Sequence, residues 1–260
     1  MPMIDADGCL LNVTVEGRDG GPTLMLSNSL GSTLQMWEPQ MRAFTQVFRV
    51  IRYDRRGHGK SQVTPGPYSI ERFGRDALAV LDDLNIEKVH WCGISMGGMV
   101  GQWLAAHAPA RIGKLVLANT TCYYPDPAIW DARIKAVKDG GLAAVADAVI
   151  AGWLTEEFRG QHPDIADRMK AMLLATPVEG YLASCEALSR LDLRDDLQSI
   201  RSPTLVVAGR YDKSTPISMA EAIRSRITGA SMTIVDAAHI SNVEAAGPFN
   251  DAVLGFLTQR

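Results

Sequence analysis

The most constraining stretch of this chain is Gly93-Ile94-Ser95-Met96-Gly97, because it joins two texts of different period. Residues 89–94 are an apolar, partly β-branched run of strand length, and residues 96–107 read as a helix. A strand that becomes a helix within one residue needs unusual backbone angles and close neighbours, so glycines stand where Cβ atoms would collide. Ser95 would then project above the end of a strand, at a helix N-terminus whose free N–H groups favour developing negative charge. A chance glycine-rich turn is the alternative, and it leaves the flanking strand and helix texts unexplained.

The rest of the chain supplies the sheet that such an elbow needs. Strand text recurs at residues 10–15, 23–27, 47–53, 114–118, 204–208 and 232–235, and the central runs are nearly all apolar, as in strands covered on both faces. Behind Ser69, a predicted N-cap, residues 70–84 repeat Phe73, Ala77, Leu78, Val80, Leu81 and Leu84 at helical spacing. Strand text lapses from Tyr123 to about Ser202, where residues 143–154 and 165–174 read as helices. An earlier helix there is expected from Asp126 as N-cap, Pro127 at the first helical position and Gly140 near the end. The expected fold is therefore α/β, a mostly parallel central sheet flanked by helices. Residues 1–121 and 203–260 form the core, and residues 122–202 an inserted helical cap.

Composition narrows the partners. Lys and Arg number 26 against 29 Asp and Glu, a formal charge of -3, so no basic field gathers nucleic acid and a small-molecule ligand is expected. Residues 1–11 carry acids where a secretory signal would have a basic patch and an apolar run. No stretch approaches the roughly 18 apolar residues of a membrane span, so a cytoplasmic protein without a membrane partner is expected. Cys9, Cys92, Cys122 and Cys185 lack a Cys-x-x-Cys pair and read as free thiols, and the histidines lack His-x-x-x-His spacing. Neither a metal nor a cofactor is expected.

A serine hydroxyl becomes a nucleophile only when a base takes its proton and a third group orients that base. His239 follows the last strand text, where a loop would lift its imidazole above the sheet edge. His90 falls in a strand, His107 ends a helix and His162 lies in the cap beside Pro163. Asp212, in Gly209-Arg210-Tyr211-Asp212 after the strand text at 204–208, reaches the same edge as His239. Asp236 is the rival acid, three residues from His239, and its other reading is a turn cap. Negative charge on a tetrahedral intermediate needs two N–H donors, expected from Met96 and from Leu30 in the loop Ser27-Asn28-Ser29-Leu30-Gly31-Ser32. Gly31 would permit the loop's shape, and Asn28 or Ser29 would brace it. The run Asp54-Arg55-Arg56-Gly57-His58-Gly59-Lys60-Ser61 lacks the glycine at 54 that a phosphate loop requires, and reads as a tight structural loop held by its own charges.

Together, Gly-Ile-Ser-Met-Gly-Gly, Asp-Arg-Arg-Gly-His-Gly-Lys-Ser, Gly-Arg-Tyr-Asp and Ala-Ala-His-Ile-Ser resemble the α/β-hydrolase superfamily across essentially the whole chain. The order Ser95, Asp212, His239 agrees with it. Within it, Leu26-Ser27-Asn28-Ser29-Leu30-Gly31 resembles the 3-oxoadipate enol-lactonases, where Ser-Asn-Ser-Leu-Gly replaces the His-Gly of most relatives. The resemblance implies a catalytic triad of Ser95, Asp212 and His239. It also implies a carboxylated enol lactone as substrate, opened to 3-oxoadipate during bacterial catabolism of aromatic acids. A carboxylesterase, a carbon–carbon bond hydrolase or a perhydrolase would use the same machinery, and a non-catalytic small-molecule receptor is the reading of another class.

A carboxylated substrate in an apolar pocket needs a cation or several donors. Trp130, Arg133, Ile134 and Val137 share one face of the first cap helix by their spacing. Arg133 would pair the carboxylate, Trp130 would wall the pocket, and Trp153 is a second wall candidate. The other reading leaves Arg133 on a solvated face and the tryptophans packing the cap.

Overall fold

In the computed structural model, which describes residues 3–259, eight strands form one sheet. They are β1 (Met3–Asp5), β2 (Leu10–Gly17), β3 (Thr23–Ser27), β4 (Arg49–Tyr53), β5 (Val89–Ile94), β6 (Ile112–Ala118), β7 (Thr204–Gly209) and β8 (Ser231–Val235). Their spatial order is β1-β2-β4-β3-β5-β6-β7-β8, antiparallel from β1 through β2 to β4 and parallel from there on. Each strand read from the sequence is present, with ends displaced by up to two residues. β1 escaped that reading because three residues are too short to show a period. Residues 1, 2 and 260, at the outer bounds of the expected core, lie outside the described residues.

The core helices follow from apolar stripes and caps. α1 (Glu38–Phe44), α2 (Ile70–Asp83) and α3 (Met96–His107) precede the insertion. The Ser69 hydroxyl accepts the Arg72 N–H at 3.0 Å and so caps α2, which buries Phe73, Ala77, Val80 and Leu81. Phe73, Val80 and Leu81 each contribute roughly 1.5–3 kcal/mol, and the single methyl of Ala77 about 1 kcal/mol or less. α3 runs from the elbow and packs on β5 and β6.

Between β6 and β7 the chain is helical: α4 (Ala128–Gly140), α5 (Ala143–Trp153), α6 (Glu156–Gln161), α7 (Pro163–Leu174) and α8 (Val178–Ser189). The expected start of α4 is shifted by one residue: Pro127 occupies the cap position, and Asp126 reaches past it to accept the Ala128 N–H at 2.9 Å. Gly140 is the last helical residue, and Gly141, at φ +66°, makes the turn. α7 starts two residues before the expected 165, because Pro163 presets a helical φ at the first position. After β7 come α9 (Ile217–Arg226), α10 (Ser241–Glu244) and α11 (Ala246–Leu257).

The charged loop after β4 is tied inward. Asp54 accepts from the Leu34 N–H at 2.8 Å, the Lys60 N–H at 3.0 Å and the Asn12 amide at 2.8 Å, and Arg56 grips Asp76 with bonds of 2.6 and 2.7 Å. The same loop abuts the helical segment: a Cβ on Gly180 of α8 would lie 2.1 Å from the Gly57 carbonyl oxygen.

Candidate active site

The elbow between β5 and α3 is as tight as its glycines suggest. Ser95 sits at φ +56°, ψ −120°, a region that costs a non-glycine residue on the order of 1–3 kcal/mol. Its N–H donates to the Ala118 carbonyl at 2.8 Å, and its carbonyl accepts the Thr120 hydroxyl at 2.7 Å, which holds it there. Cβ atoms at Gly93 and Gly97 would each meet a backbone oxygen, of Gly97 and Ser27 respectively, at 2.1 Å.

Loops after β7 and β8 bring Asp212 and His239 to Ser95. His239 Nε2 lies 2.8 Å from Ser95 Oγ, and His239 Nδ1 lies 2.8 Å from Asp212 Oδ2, with all three residues buried. Asp212 also accepts from the Ser214 N–H at 2.8 Å, the Thr215 N–H at 2.9 Å, the Thr215 hydroxyl at 2.7 Å and the Asn119 amide at 3.0 Å. Burial alone would push this carboxyl up, but the charge and hydrogen bond of His239 and the Thr215 donors outweigh it and hold it below the usual carboxylate value. An ionised Asp212 can only accept, so it accepts the hydrogen bond from Nδ1–H, keeps that proton on the imidazole, and leaves Nε2 free to accept from the serine hydroxyl.

The remaining candidates fall elsewhere. Asp236 does not cap its turn: it pairs with Arg210 at 2.5 Å on the surface, where a guanidinium one strand away outcompetes local N–H groups. His90 accepts the Lys114 N–H at 2.9 Å, His107 stacks on Trp103, and His162 packs against Phe158.

In the loop after β3, the Ser29 N–H meets Met36 Sδ, the Gly31 N–H meets His58 Nε2 at 3.0 Å, and the Ser32 N–H meets the Ser29 carbonyl. The N–H groups of Leu30 and Met96 have no acceptor among the described residues. Gly31 lies at φ +72°. Asn28 braces the loop, donating to the Tyr53 carbonyl and accepting from the Trp37 indole, each at 2.9 Å. Ser29 faces the cavity instead, and the Ser32 hydroxyl supplies the second brace by donating to the Ser29 carbonyl at 2.8 Å. From beneath, Arg55 donates to the carbonyls of Asn28 and Ser29. Burial, reinforced by the Arg55 charge, pulls His58 down to about 3, so it stays a neutral acceptor for Gly31.

Above Ser95 lies a cavity of about 270 Å³. Leu30, Ser29 and His239 line it from the sheet side, and Trp130, Arg133, Trp153 and Tyr181 from the helical segment. Arg133 is half-buried, donates to the Tyr181 hydroxyl at 3.4 Å and lies over the Trp130 ring at 5.7 Å. Both tryptophans are also part of the buried core of that segment, so packing and wall-forming coincide in them. A second cation, Lys213, lines the cavity, and among the described residues no acidic side chain does. Lys213 stands next to Asp212 in sequence, a signal that was available. Tyr181 carried none, because only the packing of α8 on α4 brings it over Ser95. Among the described residues no cluster of three or more His, Cys, Asp or Glu side chains could hold a metal ion, and no helix is long and apolar enough to cross a membrane.

Known proteins share this architecture. The family described as the alpha/beta hydrolase fold matches residues 22–246. 3-Oxoadipate enol-lactonase 2 of Acinetobacter baylyi is 39% identical over 250 residues, covering 96% of this chain and 94% of that one. The crystal structure of the enol-lactonase from Burkholderia xenovorans LB400 superposes with a TM-score of 0.98 at 37% identity, covering 99% of this chain and 100% of that one. A hydrolase from Pseudomonas aeruginosa PA01 gives a TM-score of 0.95 at 44% identity, covering 99% and 97%. With the elbow, its order of partners and these likenesses in hand, the chain belongs to the α/β-hydrolase fold family, within the group of the 3-oxoadipate enol-lactonases.

Proposed function

We propose that this protein is a cytoplasmic serine hydrolase that opens 3-oxoadipate enol-lactone to 3-oxoadipate in aromatic-acid catabolism. The observation that carries the reading is the hydrogen-bonded line from Ser95 through His239 to Asp212 beneath a cavity that, among the described residues, is lined by the cations Arg133 and Lys213 and by no acid. In this reading residues 1–121 and 203–260 are the hydrolase core, and residues 122–202 the cap that recognises the substrate.

Ser95 Oγ attacks the lactone carbonyl as His239 Nε2 takes its proton, and the N–H groups of Leu30 and Met96 receive the oxyanion. Collapse breaks the ring C–O bond and leaves the acyl group on Ser95. The departing enolate takes the serine proton from His239 and ends as a ketone, a transfer that demands less of His239 as an acid than an amine would and leaves the imidazole neutral again. Water, losing a proton to His239, attacks the acyl-enzyme, and Ser95 recovers its proton as 3-oxoadipate leaves. Arg133 pairs the substrate's side-chain carboxylate, with Trp130 and Trp153 as walls. A buried carboxylate without such a partner would cost several kcal/mol.

The test is a lactone-opening assay on the 4-carboxymethyl enol lactone, its uncharged ester analogue and a simple aryl ester, with Ser95→Ala alongside. The wild type is expected to prefer the carboxylated lactone, and Ser95→Ala to lose turnover on all three while keeping its fold. Turnover retained in a purified Ser95→Ala protein would remove the nucleophile assignment.

A further inference from the structure

The loop that carries His239 is fastened to the helical segment on both sides of the imidazole. On one side the Ile240 N–H donates to the Trp153 carbonyl at 2.9 Å. On the other the buried Ala238 N–H donates to Glu244 Oε2 at 2.8 Å. Glu244 is half-buried at the end of α10, and its carboxylate also takes the Thr155 N–H, at 3.3 Å from each oxygen, and the Thr155 hydroxyl. Thr155 caps α6, its hydroxyl oxygen accepting the Phe158 N–H at 3.2 Å, and it follows the cavity wall Trp153 by two residues.

We infer that Glu244 is a positioning residue, a clamp that holds residues 153–155 of the helical segment and residues 238–240 in one rigid unit. Asp212 fixes the direction of the His239 ring, but it does not fix where the backbone carries that ring. The bonds of the Ala238 and Ile240 N–H groups do so on the side of the helical segment, and those of the Asn119 amide to the Ala238 carbonyl and the Tyr211 N–H to the Ala237 carbonyl on the side of the sheet. Hydrogen bonds from N–H and hydroxyl donors to a carboxylate are about twice as strong as neutral ones, and removing this acceptor leaves a buried N–H with no partner. Glu244 does not line the cavity, so it acts through His239 and Trp153 rather than on the substrate. The inference rests on the reading of Ser95 and His239 as nucleophile and base.

The experiment measures Glu244→Ala, Glu244→Gln, Thr155→Val and the Thr155→Val/Glu244→Ala double variant on the aryl ester. Functional serines are counted by the burst from an activated ester, and folding is followed by thermal melts. Glu244→Ala should lower kcat per functional site by about 10- to 100-fold with KM within about twofold, the scale of a small misalignment. Glu244→Gln, which keeps an acceptor for Ala238, should recover to within about threefold of wild type. Thr155→Val should cost about threefold, and the double variant should be no slower than Glu244→Ala, because both changes open one clamp. Wild-type kcat in Glu244→Ala, no recovery in Glu244→Gln, or multiplying losses in the double variant would overturn the clamp. If Glu244→Ala does not fold, Glu244→Gln and Thr155→Val decide: near-wild-type kcat in the first and a loss in the second support the clamp, and any other pair overturns it. An active Ser95→Ala would remove the catalytic reading itself, whereas a dead Ser95→Ala beside an unaffected Glu244→Ala would remove only this inference.

Discussion

The floor of the cavity and its roof are built by different means. On the floor, Asp212 accepts from Ser214, twice from Thr215, from Asn119 and from His239, so its carboxylate has one possible orientation. On the roof, Arg133 has a 3.4 Å bond to one hydroxyl and the face of one ring. Fixing a long side chain costs up to about 2 kcal/mol of rotamer freedom, which the floor offsets with many bonds and the roof largely leaves unspent. Bond-breaking geometry is thus over-determined, while recognition keeps room to adjust to what enters.

The largest effect that could break this contrast lies on the floor. Asp212→Asn should lower kcat by about 10³- to 10⁴-fold on the lactone and the aryl ester alike, because an amide no longer enforces the tautomer that leaves Nε2 free. Steady-state kinetics showing normal kcat on either substrate would mean that the floor does not govern rate. On the roof, Arg133→Met should raise KM for the carboxylated lactone by about tenfold to a hundredfold, the worth of a charged hydrogen bond, and leave the uncharged ester within about twofold. Equal effects on the two substrates would dissolve the roof's separate role.

The smallest effect sharpens the contrast from beneath. His58 is held far below its ordinary value, at about 3, by burial first and by the Arg55 charge second. Between about pH 6.5 and pH 3 the unfolded chain binds a proton at this residue that the folded chain does not. Stability therefore falls as pH falls across that window, by at most about 1.4 kcal/mol per pH unit. The depressed Asp212 acts lower: its stabilisation is present above about pH 3.9 and is lost as pH falls through its folded value. His58→Gln should give a shallower decline between pH 6.5 and pH 4.5 in denaturant titrations. An unchanged slope would show that His58 is not a neutral buried acceptor.

What the sequence revealed follows the same division. A parallel sheet sends the carboxyl ends of its strands to one edge, so three residues far apart in the chain could be assigned to one rim from strand text alone. Spacing within a single helix likewise placed Trp130, Arg133, Ile134 and Val137 on one face; Trp130 and Arg133 line the cavity, whereas Ile134 and Val137 do not. Contacts between separately folded segments were not legible. Nothing in the order of residues announces that α8 lays Tyr181 beside Arg133, or that Glu244 reaches back 89 residues to Thr155. The charges of residues 54–61 suggested a self-stabilised loop. That Arg55 and His58 instead support the loop after β3 depends on how β4 lies beside β3, which local pattern does not encode.

The meeting of Gly57 and Gly180 bears on how such proteins can be recombined. Two main chains touch there with no intervening side chain, so a transplanted helical insert would have to arrive with a bare residue at that point or be pushed off its seat. Chimeras that exchange inserts between hydrolases should therefore be screened at positions 57 and 180 before any pocket residue is varied.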